Sequence, residues 1–406
     1  MITVLKNALF LGLIIASIVS GRATFIEMTM GEGPRDSSAV LVGDALEVAF
    51  VANAVDGTVS IIDLSSHAVL HTLDIAPDGK RVGPARNLSQ WFAQPRLEAA
   101  GGRNYAQDTD LSRDGTVLFV SRGFLGDVAA FDIASGALLW RAPVPGLRAD
   151  HMAISRDGRR LYVAAMIRGG NKVQVLDSAS GLRLGDFEAG QWPHDIHVSG
   201  DDRHIYVASL GNMQLPAAER SRAEDAYRIT VADAESLDVV RHIASTRGIR
   251  PFAVTADEKT LYVQYSNAHS VTALRSLDGE ALGTLALPMA DGVTAADWDF
   301  EAPHHGLALT SDQRLLCIAG RASDYAAVVT TQPLALVATV PVGDAPSWSA
   351  LDASGEHCLI ANNRSDDVSV VSMLDLAEVA RIRVGRAPKH ITIGRVPAEI
   401  IASGAP

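Results

Sequence analysis

The sequence predicts an all-β fold, a seven-bladed β-propeller built from four-stranded antiparallel blades. A unit of strand, polar turn and strand recurs along the chain with a period of about 40 to 50 residues, which is typical of propellers and solenoids. Each strand alternates apolar and polar residues and is rich in Val, Ile and Tyr. The opening strand that the first unit lacks is found after the last unit, as expected of a closed ring.

The repeating unit is clearest in residues 191–208. One strand contains Ile196-His197-Val198, the polar turn is Gly200-Asp201-Asp202, and the second strand contains Ile205-Tyr206-Val207. Asp-Gly and related dipeptides between two alternating runs are typical of tight hairpin turns. The same frame returns in residues 149–164 and 304–319, so each unit predicts a small antiparallel sheet.

The number of units predicts the number of blades. The first unit begins near Ala49 without an opening strand of the repeat type, and the missing strand follows the last complete unit as residues 388–394. Sharing one blade between the two ends of the chain pairs edges that would otherwise be exposed. Eight blades would require a degenerate blade within residues 76–103. Complete units start near Ala106, Ala149, Pro193, Arg250, His304 and Pro346.

The N-terminus has the features of an export signal. One basic residue, Lys6, precedes a short apolar run and a small-residue exit near Gly21, which predicts a signal peptide over residues 1–21. An uncleaved N-terminal anchor is the competing interpretation. We expect a lead-in at residues 22–44, a propeller at 45–396 and a tail at 397–406. The mature chain is expected in the periplasm or outside the cell, without stable membrane insertion.

Composition limits the classes of partner. The 406 residues are 48% hydrophobic and 20% charged, which is enough apolar material for a packed core. With 47 acidic and 35 basic residues, the formal charge of −12 disfavours nucleic acid and anionic membranes as partners. The sequence contains no P-loop, dinucleotide fingerprint, nucleophile elbow or CxxC pair. We therefore expect a small-molecule ligand or substrate, with a protein partner as the second expectation.

Cys317 and Cys358 are the only cysteines. They occupy neighbouring positions of the second strand in successive units, so their side chains are expected on opposite faces of their blades. We therefore expect two small buried hydrophobic side chains and no disulfide.

Several phrases resemble the YVTN-type repeat family of seven-bladed propellers. They are Leu161-Tyr162-Val163-Ala164, Asn171-Lys172-Val173-Gln174-Val175-Leu176-Asp177, Val342-Gly343-Asp344-Ala345-Pro346 and Ala361-Asn362-Asn363-Arg364-Ser365-Asp366-Asp367-Val368-Ser369-Val370-Val371. The resemblance covers about residues 45–395. The wider group includes lactonase-type propellers, haem d1-binding propellers and the propeller domain of nitrous oxide reductase. The resemblance therefore implies several candidate ligands and cofactors, but it transfers no individual site residue.

Three segments are longer than the repeat requires: residues 76–103, 211–226 and 289–303. In an up-and-down blade, the connection between blades and the loop between strands two and three emerge on the same face. All three insertions are therefore expected at one rim, where long loops on a rigid scaffold usually serve function. Trp91, Trp298 and Trp348 are candidates for an apolar wall against a planar ligand, with packing of the long loops as the alternative.

Polar residues open the inner strands at this same rim. Aligning the units on the Ser or Thr before each turn places one pair of residues at each opening, and His304 and His197 lie next to this ring of pairs. A generic repeat needs only Pro, Gly or another small residue there. The pairs are Gln107-Asp108, Asp150-His151, His194-Asp195, Arg250-Pro251, His305-Gly306, Ser347-Trp348 and Lys389-His390.

Three chemical uses fit this set. The imidazoles of His151, His194, His305 and His390 are candidate ligands of a transition metal, with carboxylates as further ligands or orienting partners. In a hydrolase or lyase of lactonase type, His194 or His305 would be the acid or base, Asp150 or Asp195 the orienting carboxylate, and Arg250 the anion clamp. A haem-like cofactor would take one axial His, with the basic residues on its carboxylates. The candidate cofactor contacts are Gln107, Asp108, Lys389, Trp298 and Trp348.

Two interpretations without chemistry stay open beside these uses. A ring of polar side chains can simply solvate a wet propeller channel. A protein-interaction platform would need only the opposite face, which carries the short turns. The preferred interpretation is an exported propeller that binds a small molecule or cofactor in a central His/Asp/Arg/Lys pocket on the insertion-bearing face.

Overall fold

The computed structural model describes residues 39–41, 43–83, 90–92, 94–95, 103–144, 148–167, 170–213, 215, 219 and 227–402. The expected signal peptide or anchor and most of the expected lead-in lie outside the described residues, as do residues 403–406 of the expected tail. Most of the 211–226 insertion also lies outside them. Among the helices that are described, none has the length and apolar character needed to cross a membrane.

The described strands form seven four-stranded antiparallel sheets, which confirms the predicted propeller. Blade 1 contains β1 (Ala45–Asn53), β2 (Thr58–Asp63) and β3 (Ala68–Asp74), together with β28 (Pro388–Pro397). Blade 2 contains β4 (Asp108–Leu111), β5 (Val117–Arg122), β6 (Asp127–Asp132) and β7 (Leu138–Pro143). Blade 3 contains β8 (Arg148–Ile154), β9 (Arg160–Ile167), β10 (Gly170–Asp177) and β11 (Arg183–Glu188). Blade 4 contains β12 (Pro193–Val198), β13 (His204–Ser209), β14 (Arg228–Asp233) and β15 (Val239–Ala244).

The remaining three blades repeat the pattern. Blade 5 contains β16 (Ile249–Val254), β17 (Thr260–Tyr265), β18 (Ser270–Arg275) and β19 (Ala281–Ala286). Blade 6 contains β20 (Leu307–Leu309), β21 (Leu315–Gly320), β22 (Tyr325–Thr331) and β23 (Leu334–Pro341). Blade 7 contains β24 (Pro346–Leu351), β25 (His357–Asn362), β26 (Asp367–Ser372) and β27 (Ala377–Arg383).

The ring closes through blade 1, as the sequence predicts. Strand β28 pairs with β1 in antiparallel register, from Ala45 opposite Pro397 to Asn53 opposite Pro388. A short helix, Ala398–Ala402, follows the closing strand. Residues 90–92 and 94–95, within the segment where a degenerate eighth blade would have to lie, are helical.

A side-chain hydrogen bond shapes the turn between the first and second strands. In blades 2 to 6, a Ser or Thr hydroxyl donates to the carboxylate of an Asp two residues later, over 2.5 to 2.8 Å. This bond between two side chains stabilises the turn and leaves the backbone N–H and C=O groups free to pair between the strands. The pairs are Ser112–Asp114, Ser155–Asp157, Ser199–Asp201, Thr255–Asp257 and Thr310–Asp312.

The core is divided among the interfaces between blades. Seven apolar clusters of buried residues occur, one at each contact between neighbouring blades. The cluster between blades 1 and 2 contains Phe50, Ile61, Leu118 and Val120, all fully buried. Burying one such side chain contributes about 1.5–3 kcal/mol. The propeller is therefore held by many similar interfaces, which leaves its axis free for polar side chains.

The expectation about the cysteines is wrong, because Cys317 and Cys358 form a disulfide with their Cα atoms 6.5 Å apart. The two side chains do point to opposite faces of their own blades, as expected. However, the face of blade 6 that carries Cys317 packs against the face of blade 7 that carries Cys358, in one apolar cluster. Opposite faces of successive blades meet at the interface between them. The neighbouring second-strand positions that argued against a disulfide therefore place the two thiols at the same interface.

A buried ion pair anchors the connection that leaves blade 1. Arg122, at the end of β5, is fully buried, and its guanidinium donates to Asp127 at 2.6 and 2.8 Å. It also donates to Asp78 at 2.8 Å and to the Ile75 carbonyl at 3.1 Å. Because Asp78 belongs to the first long insertion, this pair holds the start of that insertion against blade 2.

Candidate functional site

The polar pairs at the starts of the inner strands lie at β-bulges. In blades 1, 3, 4 and 5, the register between the two innermost strands shifts across the pair, so both its residues leave the regular ladder, whereas in blade 7 only Ser347 does and Trp348 still pairs with Ala361. A bulge of this kind turns side chains away from the sheet and is common next to binding sites. The shifts lie between Ala149 and Met152, Pro193 and Ile196, Ile249 and Phe252, Pro346 and Trp348, and Pro388 and Ile391.

Four histidines and one tryptophan from five blades contact one another around the axis, and we refer to His151, His194, His305, His390 and Trp348 as the rim cluster. The rings of His151 and Trp348 stack at 4.9 Å, and the His390 ring lies 4.1 Å from the Trp348 ring. The His194 ring is 4.6 Å from His151 and 5.5 Å from His305, measured between centroids. The structure therefore brings together all four histidines that the sequence singles out as metal ligands.

Asp150 orients one of these histidines. Its carboxylate accepts hydrogen bonds from Gln107 at 2.6 Å and Arg148 at 2.7 Å, and it contacts His194 Nδ1 at 2.6 Å. Burial acts to raise the pKa of Asp150, but the charge of Arg148 and the contact with His194 hold it well below its usual value. An anionic Asp150 fixes the proton of His194 on Nδ1.

His194 is consequently a neutral imidazole with its second nitrogen available. Burial lowers the pKa of His194 to about 4, against the opposing effect of Asp150. Its Nε2 atom is buried and has no hydrogen-bond partner. An unprotonated, unpartnered ring nitrogen can accept a proton from a ligand or bind a metal ion.

Asp108 lies between two other histidines. It accepts hydrogen bonds from the backbone N–H groups of Thr109 and Met152, each at 2.7 Å. The Nδ1 atoms of His390 and His151 lie 2.7 and 3.3 Å from its carboxylate oxygens. These two Nδ1 atoms face the carboxylate without well-aligned hydrogen bonds, and His151 Nε2 is buried with no partner. Of the three ring nitrogens, His151 Nε2 is therefore the one without a polar contact.

Charge accumulates around these contacts. Burial acts to raise the pKa of Asp108, but His390 and His151 hold it well below its usual value. Burial acts to lower the pKa of His151, but Asp108, Asp150 and Asp195 raise it. Asp108 is therefore an anion, and the three carboxylates favour a charged His151.

Asp195 has different partners from those expected of a carboxylate that orients His194. It contacts His197 Nε2 at 3.0 Å and accepts hydrogen bonds from the backbone N–H groups of Ile196 and Phe252, both at 3.0 Å. Phe252 belongs to the next blade. Asp195 therefore links blades 4 and 5 at the rim, and it is Asp150 that contacts His194.

His305 and His304 differ in their surroundings. His305 Nδ1 donates to the Ser347 carbonyl at 2.8 Å, and burial together with the charges of His194 and Arg250 lowers its pKa well below the usual value. His304 lies outside the rim cluster, where its Nε2 contacts the Tyr325 hydroxyl at 3.1 Å and its ring lies 4.3 Å from His269. Only the second residue of the His304-His305 pair faces the cluster.

Basic side chains border the rim cluster. Arg250 is buried, donates through Nε to the Ser266 hydroxyl at 2.9 Å, and contacts the Phe300 carbonyl. Burial and the charges of Arg148, Arg321 and Arg250 lower the pKa of Lys389 to about 7, although Asp150 opposes the shift. The four cations are therefore close enough to affect one another.

Sequence reasoning missed Arg148 and Arg321. Arg148 opens β8 two residues before Asp150, and Arg321 directly follows β21, at the rim end of a second strand. Arg321 contacts the Ser347 hydroxyl and donates to Asp299 at 3.3 Å. The alignment compared only one pair at each inner-strand opening, so it missed Arg148, which lies earlier on its inner strand, and Arg321, which reaches the rim from the end of a second strand.

The insertions meet the rim in different ways. Residues 289–303 form two short 3-10 turns, Ala295–Asp297 and Asp299–Glu301, and contact Arg250 through the Phe300 carbonyl. In the first insertion, the side chain of Gln90 is buried and donates to the Phe124 carbonyl at 2.8 Å. Two of the three loops therefore pack on the propeller.

The three tryptophans occupy different places. Trp348 belongs to the rim cluster, whereas the Trp298 ring contacts His269 at 6.0 Å. Trp91 is 43% exposed and contacts the Phe92 ring at 4.8 Å. Only Trp348 stacks directly on candidate site residues.

Two groups of described residues have the arrangement needed to hold a metal ion. They are Asp108–His151–His390 and Asp150–His151–His194, and in each group three ligand atoms lie within 4.8 Å of one another. His151 is common to both groups, and His305 belongs to neither.

The comparisons with known proteins agree on the fold. Residues 124–348, more than half of the chain, match a family model described as "Outer membrane protein assembly factor BamB". No curated protein matches the sequence.

Several solved structures share the architecture at low sequence identity. Periplasmic gluconolactonase PpgL of Pseudomonas aeruginosa is 18% identical with a TM-score of 0.62, covering 87% of this chain and 100% of its own. Hydrazine synthase of Kuenenia stuttgartiensis is 17% identical with a TM-score of 0.57, covering 73% and 96%. Dihydro-heme d1 dehydrogenase NirN, solved in complex with DHE, is 12% identical with a TM-score of 0.55, covering 87% and 66%. At these identities the likeness shows the fold alone.

Proposed function

The chain belongs to the family described as "Outer membrane protein assembly factor BamB", and from this premise we propose that it is an exported propeller that binds a small anionic molecule or cofactor at its rim cluster. The observation that carries the proposal is the convergence of Arg148, Arg250, Arg321 and Lys389 beside the four histidines. These cations gather at one end of the axis in a chain whose net charge is −12. Part of this positive charge is paired within the protein, Arg148 with Asp150 and Arg321 with Asp299, and a bound anion would add to that compensation.

The polar groups suit a carboxylate-bearing ligand. Guanidinium groups bind carboxylates through two parallel hydrogen bonds, and a lysine adds a point charge. The rings of Trp348 and His305 lie 6.2 Å apart and supply apolar and neutral polar surface beside the charges. Pockets that combine an aromatic wall with a few fixed polar groups are typical of small-molecule sites.

Calorimetric titration tests this function with matched probes. Chelator-stripped protein is titrated with citrate, gluconate and uncharged glucose, and we expect the anions to bind and glucose not to bind. Arg250→Ala and Lys389→Met should each weaken anion binding by roughly 10-fold or more, because a charge-assisted hydrogen bond contributes about 1.5–3 kcal/mol.

The matched control is Arg203→Ala. Arg203 has a side chain 73% exposed and pairs with Asp201 in a short turn on the opposite face. Its loss should leave anion binding unchanged. Equal loss in Arg203→Ala, or binding of none of the anions, would contradict the proposal.

A lactonase-type hydrolase is the second candidate, favoured by the contact between Asp150 and His194. Asp150 holds the His194 proton on Nδ1, and the unpartnered Nε2 could accept a proton from an attacking water. One solved structure of this fold is named a gluconolactonase.

Turnover of δ-gluconolactone tests the second candidate. We expect wild-type protein to hydrolyse it above the spontaneous rate and His194→Asn to lose most of this excess, typically 10²- to 10⁴-fold for a general base. Unchanged turnover in His194→Asn would remove this candidate and leave ligand binding standing.

Export and partners complete the proposal. The predicted signal peptide, the disulfide between Cys317 and Cys358, and a structural neighbour named periplasmic all favour a periplasmic or secreted protein. Membership of the finer YVTN-type family stays a prediction from the repeat phrases. An assembly-factor family also makes a protein partner a reasonable addition, which we assign to the face that carries the short turns.

A further inference from the structure

We propose that Asp108, His151 and His390 form a binding site for one divalent transition-metal ion at the rim cluster. The inference deepens the proposed function and rests on it for the location of the pocket. Metal binding can nevertheless be measured without any organic ligand, so the two proposals can fail separately.

The donor atoms are close together and buried. One ligand atom from each of the three residues lies within 4.8 Å of the other two. Asp108 and His151 are each 1% exposed, and the side chain of His390 is 12% exposed. A metal ion with two imidazoles and one carboxylate would fit between groups that already face one another.

The unused bonding capacity points to a ligand. His151 Nε2 is buried without a hydrogen-bond partner, and the Nδ1 atoms of His151 and His390, 3.3 and 2.7 Å from the Asp108 carboxylate, form no well-aligned hydrogen bond with it. Leaving such a polar atom unsatisfied costs about 1–3 kcal/mol, so these atoms are expected to have a partner in the working protein. A metal ion can take several such nitrogens at once.

Neighbouring groups hold the three proposed metal ligands in place. Backbone N–H groups of Thr109 and Met152 fix the Asp108 carboxylate, and Trp348 lies against both imidazoles. Hydrogen bonds and packing of this kind hold metal ligands in place and tune the site.

The other candidate group is less suited to a metal. The Asp150 carboxylate is already occupied by Gln107, Arg148 and His194 Nδ1. A metal at Asp150 would compete with the charge of Arg148 for the carboxylate, whereas among the described residues Asp108 has only backbone N–H groups and the two proposed histidine ligands around it. The ring of His194, with its unpartnered Nε2, lies 4.6 Å from the ring of His151 and would stand next to the proposed metal ligands.

The donor set favours a particular class of ion. Imidazole and carboxylate together suit Zn²⁺, Cu²⁺, Ni²⁺ and Fe²⁺, whereas Mg²⁺ and Ca²⁺ prefer sites made only of oxygen atoms. Three protein ligands also leave at least one position open, as in metal sites that bind a further molecule.

The first experiment is a titration of full-length mature protein, stripped with chelator, with Zn²⁺ alone and with Co²⁺ as a spectroscopic probe. We expect one ion per chain and no comparable binding of Mg²⁺. His151→Ala and His390→Ala should each weaken Zn²⁺ binding by roughly 100-fold or more, beyond the loss seen for groups that only orient ligands. The matched control His357→Ala removes a histidine that pairs with Asp352 at 2.9 Å outside the rim cluster, and it should change the affinity by less than about 3-fold.

Measurements on the wild-type protein test the site even if a histidine variant fails to fold. Co²⁺ should quench Trp348 fluorescence, because the indole contacts both proposed ligand rings, and Trp348→Phe should remove the quenching while Zn²⁺ still binds. NMR of histidine ring nitrogens should show two imidazoles shifted by Zn²⁺.

Three results would overturn the assignment. They are the absence of Zn²⁺ binding to folded wild-type protein, equal loss of binding in His357→Ala, and loss in His194→Ala with retention in His390→Ala. The last result would move the metal to Asp150, His151 and His194.

Discussion

Single residues at the rim are placed by close backbone packing between blades. Gly306 is the clearest example, since its φ of +150° lies where side chains are rarely tolerated. A Cβ atom there would lie 2.7 Å from the Ser349 nitrogen and 2.8 Å from the Trp348 Cα. Both are backbone atoms of the next blade, so neither can move alone.

We therefore expect Gly306→Ala to destabilise the protein by about 1–3 kcal/mol and to displace Trp348 from the histidines. The measurements are the chemical unfolding midpoint and the Trp348 emission, together with Zn²⁺ affinity. Gly283→Ala is the matched control, since a Cβ there meets nothing within 4 Å. If both variants behaved alike, close packing at Gly306 would not be what positions Trp348.

The sequence predicted the members of the site better than their roles. Alignment of the repeats brings His151, His194, His305 and His390 to one ring, because equivalent strand positions in a propeller share one height along the axis. It cannot show that Asp195 bonds across to blade 5 while Asp150 turns to His194. Those choices depend on side-chain rotamers and on neighbours more than 40 residues away in sequence.

Elements were predictable where the periodicity is regular. The alternation of apolar and polar residues, and the Asp-containing turns, predict the strands, the blade starts and the closing strand β28. The bulges that open the inner strands have no such sequence signal, because a shift of one residue is small against the variation between repeats. The bulges nevertheless turn the polar pairs of the rim out of the regular ladder, so the least predictable backbone feature shapes the candidate site.

For the long insertions, the sequence predicts their position on the propeller but not the residues that they contact. Their position on the insertion-bearing rim follows from up-and-down topology alone. Their contacts do not, since Arg321 and Arg364 both reach Asp299 of the third insertion from second-strand ends that the alignment did not consider. The members of a site built from loops and strand ends can therefore be identified only from the three-dimensional structure. The members of a site built from inner strands can be listed by aligning the repeats.

At the scale of the whole molecule, the ring has two kinds of closure. Blade 1 is completed by hydrogen bonds between β1 and β28, which join the two ends of the chain. Blades 6 and 7 are joined covalently by Cys317 and Cys358, which are 41 residues apart. The remaining interfaces between blades depend on apolar packing and polar contacts, because the chain has no other cysteines.

The expectation that Cys317 and Cys358 form no disulfide was wrong because it considered single blades and not the ring. Considering each blade alone, opposite faces seem to separate the two thiols. In a ring, each blade offers one face to the blade before it and the other to the blade after it, so residues on opposite faces of successive blades become neighbours. The same reasoning applies to any pair of equivalent second-strand positions that face a common interface.

The bridge should contribute to stability mainly by restricting the unfolded chain. For a loop of 41 residues, loop-closure entropy gives about 4 kcal/mol. We expect the variant Cys317→Ala/Cys358→Ala to fold and to keep its rim cluster, since neither cysteine contacts it, but to lose up to about 4 kcal/mol of unfolding free energy. Denaturant unfolding of oxidised wild type, reduced wild type and the double variant measures the loss. Reduced wild type and the double variant should agree, and anion and Zn²⁺ affinities should be unchanged in both. A drop in those affinities would mean that the contact between blades 6 and 7, and not local packing at the rim, sets the geometry of the site.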